Sequence, residues 1–467
     1  MFRDQTLQKA IRQSSLKPHQ LRSMLYVTPQ RNFQVKQKNK SHLFVRASQM
    51  MDEQPTTQSQ DKNPFKYDTT FGLVKKMFIY KMMASNLFIN HSLTAMSMSY
   101  RMFGIRLTNA VIENTAGSIF TGGVSVDDLV KDMDVLAERN VGSISMMVAE
   151  GLTNADEKTL DYFHQISKDT VKKMSEGRSE AHFAVKLTIF VSLEVMQKMS
   201  TAQKAFVHDI LGLNYSDSHS DVLTREQLVE NLANAGITEY SESDLESMIE
   251  KLSDSNGEMT ALARYKNGHL FSLEAPLSPL EKLIATQIAG MESSDFQKFE
   301  LFKERTMSFT EYAKERNTSL YVDAEQSFLQ YGIESFGQQL THKFNQDDTT
   351  MIMNGYQCYT KRAQDLISME VACAKQFGFN LGVKLIRGAY MLEERELAQK
   401  GGFESPVFDS IEETHKCYDE NMAHIITNMK ESDMILVASH NQETIRIATN
   451  LLEDRQALRD SQSVVFG

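Results

Sequence analysis

The stretch VKLIRGAYMLEER, residues 383–395, holds a strand, a turn and the start of a charged helix. Residues 381–386 form a short apolar run interrupted by one cation, Lys384. Gly388 then frees the backbone, and a Glu-rich helix begins near Tyr390. Burying a lysine among Val, Leu and Ile is costly unless an anion meets it. A strand whose carboxyl end carries charge and then Gly is where α/β barrels place their chemistry. The stretch thus points to a fold and to a place for a site.

Outward from it, apolar runs of strand length recur at 142–149, 182–190, 319–324, 352–358, 434–440 and 464–466. Between them lie helical patterns such as 410–429 and 443–458, with apolar residues at three- and four-residue spacing. Strand–helix alternation without hairpin signals predicts parallel strands and right-handed crossovers. Seven strands in that order suit a (β/α) barrel or a doubly wound sheet. No GxGxxG follows the first strand and no GxxxxGK[ST] occurs, which favours the barrel.

About 130 residues separate the second strand from the third, too many for one crossover. Within this gap, 224–253 reads as a pair of amphipathic helices, with Thr224 and Gln227 forming a capping box. The helix pair and its DSNGE turn invite an EF-hand reading. The loop pattern fails, because Gly257 comes three residues after Asp254 and no Glu closes a twelve-residue loop. A helical insertion at about 195–305 is the expectation.

At 467 residues, with a net charge of −11, the chain lacks the basic excess of a nucleic-acid binder. Its longest apolar runs are broken by Lys or Asp before the roughly 18–20 residues a spanning helix needs. Cys358, Cys373 and Cys417 are widely spaced, without CxxC, which suits packed thiols in a reducing compartment. Residues 1–50 hold ten Lys/Arg against one acid, Asp4, with Ser and Gln abundant. That is the composition of a mitochondrial transit peptide. The expected organisation is therefore leader and linker over 1–64, N-terminal helices over 65–140, and a barrel over 141–467 carrying the insertion.

Polar residues gather at the carboxyl ends of the strands, which in a barrel means one rim. They are Lys186 in AVKLTIF, Asp323 and Glu325 in YVDAEQ, Gln357 in YQCY, Lys384 and Arg387 in VKLIRGAY, and Ser439, His440 and Asn441 in VASHN. One His and few converging carboxylates are thin for a metal, and a Ser nucleophile lacks its GxSxG elbow. Two readings survive. Lys384 or Lys186 serves as a Schiff-base nucleophile, or cations and amides cradle a large anionic cofactor and a carboxylate substrate. The second needs many donors and no nucleophile, and matches this rim better.

The order KLT, VDAEQ, YQCYTK, VKLIRGAYMLEER, ASHNQETI resembles the FAD-dependent proline dehydrogenases, particularly the mitochondrial kind, over about 184–467 apart from the insertion. The resemblance implies a distorted (β/α)8 TIM-like barrel with FAD on its rim, oxidising L-proline to pyrroline-5-carboxylate and passing electrons to quinone. It implies a place at the inner mitochondrial membrane, with peripheral contact and no nucleic acid.

Carried over residue by residue, Lys186 sits beside the substrate carboxylate and Asp323 near that lysine and the flavin. The resemblance implies that Gln357 hydrogen-bonds the isoalloxazine ring and that Lys384 lies near the flavin N5 edge. It likewise implies that Ala389 and Tyr390 wall the pocket and that Ser439, His440 and Asn441 contact the flavin.

Two departures stand out. Met146 and Met147 replace an acid and an aromatic, leaving Glu150 as a stand-in for the family's gate carboxylate. The chain also stops within what corresponds to the seventh strand. The resemblance then implies a barrel lacking its last strand and the helix whose paired arginine clamps the proline carboxylate. Weak proline binding, or a non-catalytic remnant acting as a binding scaffold, is the expectation that follows.

Overall fold

The computed structural model describes residues 68–123, 125–148 and 155–467, together with the backbone of 26–32. The leader expected over 1–64 lies outside the described residues apart from Tyr26–Asn32, a strand that pairs antiparallel with residues 142–148. Glu150 also lies outside them.

Seven parallel strands, with Tyr26–Asn32 antiparallel at one edge, form an eight-stranded sheet. They are β1 (Gly142–Val148), β2 (Ala181–Val185), β3 (Thr318–Val322), β4 (Ile352–Gln357), β5 (Gly382–Ile386), β6 (Met434–Ala438) and β7 (Val464–Phe466). Each pairs with its sequence neighbour, in unbroken order. That order separates a barrel wall from a doubly wound sheet, in which the order reverses at a switch point. The second strand ends sooner than its apolar run. Lys186 leaves the sheet, and Leu187–Ile189 curl into a 3-10 turn. The run stays apolar because Leu187, Ile189 and Phe190 are buried there as well, and a short apolar run alone does not distinguish strand from buried turn.

Helices cover the outside. α1 (Thr70–Met83), α2 (Asn86–Ile112) and α3 (Val126–Glu138) precede the barrel. α4 (Glu157–Ser175) follows β1, and α5 (Leu193–Ala205) follows β2. The insertion contributes α6 (Arg225–Asn234), α7 (Glu242–Leu252), α8 (Ala261–Asn267) and α9 (Pro279–Ala289) before α10 (Ser293–Glu315) leads into β3. α11 (Ser327–Phe344), α12 (Ala363–Phe377), α13 (Met391–Gly401), α14 (Ile411–Asn428) and α15 (Gln442–Glu453) complete the alternation.

The expected capping box of α6 is present, with Thr224 and Gln227 exchanging bonds. Val222–Leu223 and Met259–Thr260 pair antiparallel, as the loops of a helix–loop–helix pair do. Asp254 directs its carboxylate at its own loop, accepting from the N–H of Asn256 (2.8 Å) and Glu258 (3.1 Å). No group of three His, Cys, Asp or Glu placed to hold a metal occurs among the described residues. The insertion is joined to the barrel helices by Tyr265, whose hydroxyl donates to Glu370 at 2.6 Å and accepts from Gln338 at 2.6 Å. Burial pushes the Glu370 carboxyl up to about 7.

Two apolar layers follow from the strand period of two. One face of each strand packs outward against the helices in a single large core. The other face builds a small inner cluster of Ile144, Ala184, Tyr321, Met353, Leu436 and Val465. Met146 packs beside this inner cluster and Met147 is buried in the outer core.

The amino ends of β4, β5 and β6 are joined by buried amides. Asn345 Oδ1 accepts from the N–H of Met351 (3.0 Å) and Ile352 (2.7 Å), and Nδ2 donates to the carbonyls of Ile352 (2.8 Å) and Asn380 (3.1 Å). Asn380 Nδ2 donates to Asp347 and Thr349 carbonyls, while its Oδ1 accepts from Ser432. Asp433 accepts from the N–H of Leu381 and Lys430. Gly382 permits the closeness of this corner, since a Cβ there would lie 1.9 Å from the Ile352 carbonyl.

Candidate active site

Continuing along the inward face beyond the inner cluster brings Lys186 two residues after Ala184, Asp323 two after Tyr321, and Gly355 then Gln357 after Met353. These side chains converge on the carboxyl rim, where the sequence pattern placed them. Lys384 of β5 reaches across β4 to pair with Asp323. Both are buried, with Lys384 3% and Asp323 7% exposed. The backbone between them must be bare. Gly355 is the register partner of Lys384, and a Cβ there would stand 2.7 Å from Val322 O and 2.8 Å from Ala324 N. A buried pair of this kind is marginal for stability while intact and costly to break from one side.

Gln357 stitches the loops after β3 and β5. Its Nε2 donates to Glu325 O at 3.1 Å, and its Oε1 accepts from Ala389 N at 3.4 Å. Lys186, half-buried, donates to the Tyr390 hydroxyl at 3.5 Å. Burial pushes that hydroxyl above its usual range, opposed by the Lys186 ammonium. Glu325 accepts from Thr188 at 2.7 Å, and its N–H donates to Gln330 Oε1 at 2.8 Å. Lys186, Asp323, Gln357, Lys384, Ala389 and Tyr390 thus form one continuous polar wall.

A second cluster adjoins it at the ends of β5 and β6. The Arg387 guanidinium donates to Thr444 Oγ1 and to Ser439 Oγ (3.5 Å), and meets His415 Nδ1 at 2.6 Å. It lies 3.6 Å from the Asp419 carboxylate and stacks over the Tyr418 ring at 4.1 Å. Its Nε is buried without a hydrogen-bond partner. Ser439 joins the site through this arginine. Asn441 caps α15, accepting from Thr444 N at 3.1 Å, and His440 is exposed.

Thr188, His415, Asp419 and Thr444 escaped the sequence reading. The first follows the KL of a strand that outwardly continues. The others sit inside helical patterns where only tertiary packing shows their direction. Cys358 and Cys417, with Cys373, are free and buried.

A family model described as proline dehydrogenase matches residues 129–467. Proline dehydrogenase 1, mitochondrial, of Caenorhabditis elegans is 29% identical over 316 residues, covering 64% of this chain and 50% of that protein. The hydroxyproline dehydrogenase of Xenopus laevis is 22% identical over 413 residues, covering 87% of this chain and 76% of that one. The crystal structure of proline utilization A from Bdellovibrio bacteriovorus inactivated by N-propargylglycine superposes with a TM-score of 0.50 at 14% identity. It covers 90% of this chain and 36% of that one, and the likeness speaks to the fold alone. The chain spans about half the length of the worm relative. Because the family match runs from within α3 through β7 and takes in every rim residue described above, the chain belongs to the proline dehydrogenase family.

Proposed function

We propose that this chain carries the catalytic rim of an FAD-dependent oxidation of L-proline to 1-pyrroline-5-carboxylate, with electrons passed on to quinone. The single observation that carries the reading is the inward convergence of Lys186, Asp323, Gln357, Lys384 and Tyr390 on one barrel rim. The donor set fits the cofactor. Three cations (Lys186, Lys384 and Arg387), one of them with a buried unpartnered Nε, suit an anionic dinucleotide, and the Gln357 amide suits the polar edge of a flavin ring. Bound FAD would supply the acceptor for the two electrons that leave the substrate.

The rest falls to the protein's own groups. Lys186 and Tyr390, in mutual contact, would hold the substrate carboxylate and wall its pocket. Asp323 would hold the Lys384 ammonium in place on the rim, where it would favour the electron-rich form of a bound flavin. Lys384 spends its ammonium on Asp323, an arrangement that does not favour the Schiff-base alternative.

The reading extends to place. The relatives named mitochondrial support a mitochondrial protein at the inner-membrane face of the matrix. No helix among the described residues is long and apolar enough to cross a membrane. Over residues 68–112 five cations face one acid, Asp68. Phe71, Met77, Phe78, Leu87 and Met102 are exposed there. A basic, apolar helix pair of this kind favours peripheral contact with anionic lipid.

The test is the visible spectrum of the FAD-supplemented chain under anaerobic conditions, before and after proline. Bleaching of the flavin band is the expected result. Bound flavin that stays oxidised removes the substrate half of the reading. A chain that takes up no flavin overturns it and leaves the binding-scaffold alternative.

A further inference from the structure

The EER that follows RGAY in residues 387–395 has no part in the chemistry above, yet its second glutamate is almost wholly buried. Glu394 is 1% exposed. Its Oε1 accepts from the N–H of Ser327 at 2.6 Å and its Oε2 from the Ser327 hydroxyl at 2.5 Å, across 67 residues of chain. Ser327 is the first residue of α11, and that helix has no side-chain cap of its own, its N-cap residue being Gln326. The first N–H groups of a helix need partners, and the positive end of the helix dipole favours an anion there. Here both are supplied by another helix. Glu394 is in turn fixed to the site, because its own N–H donates to Tyr390 O at 2.9 Å.

We infer that Glu394 is a positioning residue, a helix cap supplied in trans that locks the loop after β3 to the loop after β5. The first loop carries Asp323 and Glu325. The second carries Arg387, Ala389 and Tyr390. At the site end these loops are joined by Lys384–Asp323 and by the Gln357 amide. At the far end the join is Glu394 to Ser327, with Gln326 donating to Glu393 beside it at 3.2 Å. With both ends joined, neither loop can shift along the rim without breaking a buried bond. The consequence for flavin binding rests on the function proposed above; the locking itself does not.

The experiment uses the full chain with Glu394→Ala, Glu394→Gln, Ser327→Ala and the Glu394→Ala/Ser327→Ala pair. Amide hydrogen exchange is followed without flavin over 323–329 and 387–394, and FAD affinity by flavin fluorescence. Glu394→Ala is expected to speed exchange about tenfold in both segments. It should weaken FAD to a similar degree, with Glu394→Gln recovering part of each and the pair no worse than Glu394→Ala alone. Exchange that rises only over 323–329, with 387–394 and FAD affinity unchanged, would reduce Glu394 to an ordinary cap and overturn the inference. Unchanged exchange in both segments overturns it too. Should Glu394→Ala fail to fold, Ser327→Ala, which removes only the hydroxyl donor, decides by the same two readouts. Should the unaltered chain bind no FAD, the functional reading fails while the exchange comparison still stands.

Discussion

The two ends of this barrel satisfy their polar groups in opposite ways. At the amino ends of β4, β5 and β6, Asn345 engages two N–H groups and two carbonyls, and Asn380 and Asp433 complete the join with uncharged backbone partners. At the carboxyl rim the groups are charged, they reach across strands, and polar atoms are left over. Arg387 Nε and Gln330 Nε2 are buried without a partner. A buried group left unsatisfied is destabilising in itself, and His342 Nε2, packed against Phe379 near the amino ends, is another such atom, so the contrast between the ends lies in charge and reach. On the function proposed above, one end serves the chain's own structure and the other a bound guest.

That contrast can be broken by a pair of substitutions. Asn345→Ala strands four backbone groups in the core and should lower unfolding free energy on the order of 4 kcal/mol, measured by urea titration. It should leave FAD affinity of the folded fraction unchanged. Lys384→Ala leaves Asp323 buried without its cation, a loss of about 3–4 kcal/mol, and should abolish or sharply weaken flavin binding. If the folded Asn345 variant also loses flavin, the division between the two ends is wrong.

Glu370 sharpens the comparison from a third position, outside the barrel wall. Burial raises its folded value from 4.5 to about 7, so the folded chain holds this proton more tightly than the unfolded one. Its contribution is fully present below about 4.5 and is lost as pH rises toward 7, a decline of roughly 3 kcal/mol at most. Glu370→Gln should flatten stability between those pH values, read as urea midpoints at pH 5 and 7.5. An unchanged slope would place the titration elsewhere.

Much of the fold and the rim could be read from local pattern. The strand runs carried their own periodicity, and each rim residue stood at the end of one. Lys186, Asp323, Gln357 and Lys384 were visible because a polar residue closing an apolar strand is a local signal. Asn345 and Glu394 were not. Asn345 follows a helix in a polar stretch, NQDDTT, that reads as an ordinary loop. Glu394 sits among acids in what reads as a solvated first turn. Their partners are set by tertiary approach, seven and 35 residues away for one and 67 for the other. Asp254 makes the reverse case. Its acids and Gly invite a metal reading that the spacing already rejects, and the structure closes that loop on itself through bonds two and four residues long.

The amide join at the amino ends also bears on the order of folding. Asn345 ties β4 to the approach of β5 within a short span of chain, so little loop entropy opposes it. The Lys384–Asp323 pair spans 61 residues and three strands. Contacts of short span form early and those of long span late. Refolding kinetics should therefore give Asn345→Ala a φ-value near one and Lys384→Ala a value near zero, and equal values at both would refute that sequence of events. The sheet would assemble from its amino ends, with the carboxyl rim the last part to set.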